Sequence, residues 1–386
     1  MRRSRPLAPA AIVTFLAALA CRPTVVAAQG GADQVTSVLT DAGPVTVERV
    51  AERLEHPWGM AFLPDGRLLV TERLGTLRIV RPDGTKSDTI PGVPVVYAQG
   101  QGGLQDVALD PDFRSNGYVY LSYALPGPDG SATTALGRGR WRGDSLVEFR
   151  VLFRQEPWVT GSKHFGSRIA FDAKGLVYLA LGERFQFAPA QELSNHLGTI
   201  VRLDRDGGVP RDNPFVGRQG ARPEIWSYGH RNIESAAFDP RTGALWVAEM
   251  GPLGGDELNR PEAGKNHGWP LVSHGMHYDG RDIADPPTRA DLADAAHVWR
   301  TVISPSGMVF YTGTAFPAWT NSFFIGALSA QQLVRVRVEG TRVTGEERIP
   351  LGKRIRDVEQ GPDGMLYVLT DEKEGQLWRI APLPRK

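Results

Sequence analysis

The sequence predicts an all-β protein, a single six-bladed β-propeller. Three observations lead there: a two-strand unit that recurs six times, the absence of any dinucleotide or phosphate-loop pattern, and a composition suited to a compact chain. Six segments share an apolar stretch, a Pro-Asp-Gly-like turn and an alternating strand rich in Leu, Val, Tyr or Trp. They span residues 58–80, 104–124, 166–183, 234–251, 306–328 and 355–380, with turns near Asp65, Asp112, Asp172, Asp239, Pro317 and Asp363. Asp and Gly supply the backbone geometry of a tight turn, and alternation on both sides makes each unit a hairpin. A hairpin alone cannot bury its face, whereas radially stacked four-stranded blades can, leaving only short protected edges. No Pro/Ser-rich linker divides the chain, so residues 29–386 read as one domain. Long inserts at 126–158, 185–226, 252–301 and 341–354 exceed hairpin loops, and loops of that size usually carry function.

Ahead of the repeats, residues 1–28 read as an export signal: Arg2, Arg3 and Arg5, an apolar run from Ala8 to Ala20, then Val26-Ala27-Ala28 before Gln29. Lipoprotein processing at the single cysteine, Cys21, is the alternative, and it would anchor the protein by lipid. The apolar run is shorter than the roughly 20 residues that span a bilayer, so no stable membrane insertion is expected. The expected location is periplasmic or secreted. Lys and Arg total 44 against 43 acidic residues; without residues 1–28 the balance is 40 against 43. No basic field is present to hold nucleic acid, which is therefore not an expected partner. One cysteine excludes disulfide frameworks and thiolate metal sites, so a metal would rest on oxygen or histidine.

Chemistry is sought in the loops. No strand is followed by Gly-x-Gly-x-x-Gly opening a helix, which disfavours a nicotinamide fold. Asp204-Arg205-Asp206-Gly207 starts like an EF-hand, but the twelfth position is Phe215 where a bidentate Glu is required. His274 and His277 lie among glycines that argue against an aligning helix. His164 in GSKHFGSR precedes a repeat strand and could take a proton near neutral pH, or be a hydrogen-bonded structural histidine. Glu183 closes the following strand, within reach to orient that ring. Arg231-Asn232 offers a planar cation and an amide at a strand end, or a structural pair. The segment from Glu249 to Glu257 mixes carboxylates with glycine-rich backbone, hard oxygen donors that suit Ca²⁺. Arg354 and Arg356, two apart in a strand-like segment, put both guanidinium groups on one face, fitting an acidic ligand or a solvated edge.

With these residues in view, the chain resembles the soluble pyrroloquinoline-quinone (PQQ)-dependent sugar dehydrogenases, the aldose sugar dehydrogenase branch most closely. The stretches that carry the resemblance are GQGGLQDVALDPDF, KHFGSRIAFD, LDRDGGVPRDNPF, EIWSYGHRN, EMGPLGGDELN, GKNHGWP and RIRDVEQGPDGMLYVLTDE. They run in order from His56 to Ala381. The resemblance implies a six-bladed propeller and oxidation of an aldose at C1 to its lactone. It implies that His164 takes the C1 hydroxyl proton as hydride passes to the quinone, with Glu183 orienting the base and Gln101 beside cofactor and substrate. Arg231 and Asn232 would contact the quinone edge, and Arg354 and Arg356 would pair with its carboxylates. Gly251 and Pro252, through their carbonyls, and Glu249 would hold the Ca²⁺ that polarises the quinone carbonyl. Electrons would leave to an external acceptor.

Three positions depart from the family pattern: Ser329 stands for a lysine in GALSAQQL, His267 for a tyrosine in GKNHGWP, and Ile233 for a proline after Arg-Asn. A calcium-dependent lactonase and a non-catalytic carbohydrate-binding propeller are the rival readings, the latter supported by Ser329.

Overall fold

The structure is a computed structural model that describes residues 36–284 and 286–383, with the backbone of Val26–Ala27. Apart from one helical turn at Phe113–Asn116 and three short 3₁₀ turns, its regular elements are β-strands. They form six antiparallel sheets set around a ring.

Blade 1 is Pro57–Phe62, Leu68–Glu72 and Thr76–Val80; blade 2 is Leu104–Leu109, Tyr118–Pro126, Ser131–Trp141 and Leu146–Arg154. Blade 3 runs Gly166–Phe171, Val177–Leu181, Thr199–Leu203, Ile225–Tyr228, and blade 4 runs Ile233–Asp239, Ala244–Glu249, Asp256–Asn259, His297–Trp299. Blade 5 is Pro305–Phe310, Ser322–Ala327, Gln332–Glu339 and Arg342–Pro350. Blade 6 takes Ile355–Gln360, Leu366–Thr370 and Gly375–Pro382 from the end of the chain and Gly43–Leu54 from its beginning. That mixed sheet is the clasp: Trp378 pairs with Arg49 and Ile380 with Val47, closing the ring by main-chain hydrogen bonds.

The first strand of each blade lines the axis, and each touches the first strand of the next blade around the full circle. The apolar core is correspondingly divided into one wedge per blade interface. Leu69, Leu77, Leu104 and Leu121 fill the wedge between blades 1 and 2, for example, and Trp246, Trp299, Phe323 and Ile325 that between blades 4 and 5. Each sheet buries both faces against its neighbours, which is how short hairpins acquire a stable core.

The six repeat units recur as the inner hairpins of the six blades. The long inserts require correction. Residues 126–158 and 341–354 consist mainly of outer strands of blades 2 and 5, whereas 185–198, 204–224 and 260–296 are the extended loops within the other two. Outer strands such as Arg342–Pro350 are exposed or half-buried at all but one position and carry few apolar residues, so the apolar alternation there is faint. The clasp strand Gly43–Leu54 was not foreseen, because its partners lie at the other end of the chain. In the proposed export signal, Cys21 and Ala28 lie outside the described residues; of residues 1–28 only Val26 and Ala27 are described, paired with Ser37 and Thr36.

Candidate functional site

Strand alternation places the site. Each inner strand starts at one end of the axis, so the connections between blades and the loops joining second to third strands emerge at that same end. Gln101, His164, Arg231, Asn232 and Arg354 lie on blade connections; Glu183, Glu249, Gly251, Pro252 and Ser329 end second strands or follow them. A β-bulge interrupts every inner hairpin near this end, between Gly166 and Ile169, Ile233 and Ser235, and Ile355 and Asp357 among others. Bulges redirect side chains, and the bulged segments carry Arg168, Glu234 and Arg356.

His164 is nearly buried and holds a left-handed backbone, φ 52°. Its main-chain N–H donates to Gln101 Oε1 (2.6 Å), and its Nδ1 meets Glu183 Oε1 at 2.5 Å. Glu183 Oε2 accepts from the Gln186 and Phe187 main-chain N–H groups, which anchors the carboxylate. With Nδ1 donating to a carboxylate, Nε2 is the basic nitrogen, and it keeps no protein partner among the described residues. Burial lowers the imidazole pKa, Glu183 raises it, and the nearby Arg231 charge lowers it further. The net direction is downward, so the ring is a free base through neutral pH.

Arg231 is 3% exposed. Its Nη1 donates to the Met250 and Gly251 carbonyls (2.9 Å each), its Nη2 reaches the Tyr278 hydroxyl (2.9 Å), and its carbonyl accepts from Glu183 N–H (2.9 Å). Its Nε is buried and has no hydrogen-bond partner among the described residues. Asn232 accepts from Gly166 N–H (3.1 Å) and donates to Glu234 Oε1 (3.1 Å). Glu234 in turn receives Arg356 Nη1 (2.6 Å), and Asp371 receives Arg356 Nε (3.2 Å) and Arg354 Nε and Nη2 (3.0 and 2.9 Å). Gln101, His164, Glu183, Arg231, Asn232, Arg354 and Arg356 thus belong to one network. Glu234 and Asp371, which complete it, were missed by sequence reasoning. Glu234 is the second residue of the inner strand Ile233–Asp239 and Asp371 directly follows Leu366–Thr370, and Arg356 joins them only once the ring closes.

Behind this network Arg168 closes the channel. Its Nη1 contacts Asp106 and Asp357 (3.1 and 3.0 Å), its other nitrogens donate to the Glu234 and Arg356 carbonyls, and it lies over the Trp58 ring. The mouth carries aromatics that were also unforeseen: Phe185 stands edge-on to His164, Phe187 lies beside both Phe185 and Trp269, and Tyr278 is 63% exposed.

The oxygen-rich loop divides its donors. Glu249 accepts from His230 Nδ1, Arg231 N–H and Asn259 Nδ2, so its carboxylate is occupied by the protein. Among the described residues no group of three His, Cys, Asp or Glu side chains converges as a metal site. A hard cation would rest mainly on main-chain oxygens, and the loop presents them: a Cβ at Gly251 would fall 2.3 Å from Gly254 O and 2.5 Å from Gly255 O. Glu257 nearby is pushed up to about 8 by burial and by Glu249. Ser329 is exposed and bonds to Ser304 and the Val302 carbonyl, apart from the arginine network.

Comparison with known proteins agrees with the fold. Residues 54–379 match the Glucose / Sorbosone dehydrogenase family model. The Escherichia coli protein "Aldose sugar dehydrogenase YliI" is 46% identical over 345 residues, covering 88% of this chain and 93% of that protein. The crystal structure of the soluble aldose sugar dehydrogenase from Escherichia coli, in the apo-form, superposes with a TM-score of 0.85 at 45% identity, over 88% of this chain and 99% of that one. The PQQ-bound aldose sugar dehydrogenase from Streptomyces coelicolor gives 0.72 at 27% identity, over 87% and 98%. With the family model matched over most of its length, the chain belongs to the glucose/sorbosone dehydrogenase family.

Proposed function

We propose that the protein is a PQQ-dependent aldose dehydrogenase: an oxidoreductase acting on the CH–OH group of sugars, here the C1 hydroxyl of an aldose. The observation that carries the reading is a buried base, His164, whose Nδ1 is held by Glu183 and whose Nε2 has no partner among the described residues, in one network with Arg231, Arg354 and Arg356. The quinone, when bound, supplies the two-electron acceptor for the C1 hydride. Its fit rests on the donor chemistry: Arg231, whose buried Nε has no partner among the described residues, and Arg354 and Arg356, which pair with the Asp371 and Glu234 carboxylates and so present forks suited to an acidic, multiply carboxylated ring system.

His164 Nε2 takes the C1 hydroxyl proton, and Glu183 holds the Nδ1–H so that the imidazolium forms in place. Gln101 fixes the His164 backbone and stands beside the substrate. Arg231 stabilises negative charge that grows at the acceptor. Ca²⁺ would be held at the Glu249–Pro252 segment, on the Gly251 and Pro252 carbonyls, and would supply Lewis-acid polarisation. Oxidation removes the C1 hydrogen and the hydroxyl proton, so the aldose leaves as its lactone and electrons pass to an external acceptor. Export through residues 1–28 would place this chemistry in the periplasm or outside the cell; no helix among the described residues is long and apolar enough to cross a membrane.

The test is dye reduction by apoprotein reconstituted with Ca²⁺ and PQQ, compared with His164→Gln. A folded variant should lose about two to four orders of magnitude in turnover; near-full activity would remove His164 from the role.

A further inference from the structure

Ser227, His230 and Glu249 form a line with the order of a hydrolytic triad. The Ser227 hydroxyl lies 3.0 Å from His230 Nε2, and His230 Nδ1 lies 2.9 Å from Glu249 Oε1. Ser227 and His230 are both fully buried. A serine that no substrate reaches is not a nucleophile, so the line has another use.

The second oxygen of Glu249 shows what that use is. While Oε1 receives the His230 ring and the Asn259 amide (2.8 Å), Oε2 receives the main-chain N–H of Arg231 at 2.7 Å. One carboxylate therefore clamps the side chain of residue 230 and the backbone of residue 231. The His230 ring is held from the side by His267, stacked at 4.4 Å and 22°. Gly229 enters the clamp with φ +76°, and a Cβ there would meet Asn266 Oδ1 at 2.1 Å. The backbone on both sides of the Arg231 Cα is thus fixed, since its carbonyl is held by Glu183 N–H. Burying a carboxylate costs several kcal/mol unless it is fully hydrogen-bonded, and this one has three donors. An apolar core would fill the space without setting the position of Arg231.

We propose that His230 and Glu249 are positioning residues for Arg231, setting the place of its guanidinium at the channel mouth. The proposal rests on the reading that Arg231 faces the quinone. A guanidinium aimed at developing charge loses most of its effect when displaced, whereas the sugar, held by other groups, is bound as before.

Apoprotein carrying His230→Gln is titrated with PQQ in the presence of Ca²⁺ by quenching of tryptophan fluorescence, then assayed with an aldose at saturating quinone. Quinone affinity should fall about tenfold, the loss of one charge-assisted contact. The turnover number should fall by at least that factor, with the KM for the aldose unchanged. Glu249→Gln, which turns an N–H₂ toward one of the three donors, should show the same split more strongly. Ser227→Ala removes only the outer member and should show it at about threefold, keeping the test open if the others fail to fold. Folded variants with altered melting temperature but normal quinone affinity and turnover would overturn the proposal. Arg231→Lys is the separate control: normal titration and turnover in that variant would overturn the reading of Arg231 itself.

Discussion

His164 adopts left-handed backbone, φ 52°, and the residues after its partner do the same: Arg184, Phe185 and Phe187 have φ of 57°, 63° and 64°. Side chains with a Cβ take that conformation at a cost of order 1–3 kcal/mol each. Here the surroundings enforce it. Arg184 is buried, lies over the Phe165 ring, and donates to the Lys163, Ala132 and Gly161 carbonyls (3.0, 2.6 and 2.7 Å), which pins the segment that carries His164. Because burial lowers the His164 pKa, the base is neutral to a lower pH than an ordinary histidine, and the acid limb of kcat/KM should fall below the usual histidine range. Glu183 raises that pKa, so Glu183→Gln should move the limb further toward acid while lowering the plateau. A limb displaced toward alkali in that variant would contradict the assignment of Glu183. At Ser329 the expected lysine cation is missing, and Ser329→Lys should tighten quinone binding about tenfold in a fluorescence titration. Arg354→Ala and Arg356→Ala should weaken it by at least as much. Normal binding in both arginine variants would place the acidic ligand elsewhere.

At the scale of elements, the inner hairpins were legible because two short-range signals coincide in them: a turn built on Asp and Gly, and alternation on both sides. The bulges were not, yet they aim the site. In four of the six joints a Ser or Thr hydroxyl of one blade donates to the carbonyl of a bulged segment in the next: Thr71 to Gln105, Ser122 to Ser167, Ser235 to Ser306 and Ser306 to Ile355. Such hydroxyls look like ordinary strand residues in sequence. The charged site residues themselves were readable from glycine-flanked loops, whereas Glu234 and Asp371 were not, since Arg356 links them across blades 4 and 6. Glu249 was read as part of the metal loop and is instead enclosed by donors, a difference that spacing alone does not reveal. The loop after it tolerates no Cβ at Gly251, where Gly254 and Gly255 carbonyls crowd in. Gly251→Ala should therefore shift the loop, lowering the melting temperature and weakening activation by Ca²⁺, read as a higher Ca²⁺ concentration for half-maximal dye reduction by the folded variant. An unchanged Ca²⁺ requirement would count against this loop as the cation site.

Across the whole molecule, stability and function rest on ring closure. Each wedge of the core belongs to two blades, so a defect in one interface loosens both neighbours. Trp319, fully buried between blades 5 and 6 and stacked on Phe316 at 3.9 Å, should cost about 3–5 kcal/mol when changed to Ala, read from the denaturant midpoint. The clasp joins Gly43–Leu54 to Gly375–Pro382, and only a closed ring brings blade 2's Gln101, blade 3's His164, blade 4's Arg231 and blade 6's Arg356 around one axis. Charge and composition foretold the class of ligand less well than this convergence does, because net charge near zero hides a local cluster of guanidinium groups. The measurement that bears most directly on the account is reconstitution of the apoprotein with Ca²⁺ and PQQ, followed by an aldose and a redox dye, with lactone and reduced dye quantified together. The account predicts lactone and two-electron dye reduction in equal amounts, both absent without quinone and both collapsing in His164→Gln. Sugar binding without turnover in the fully loaded protein, or metal-dependent lactone hydrolysis that ignores the quinone, would contradict it.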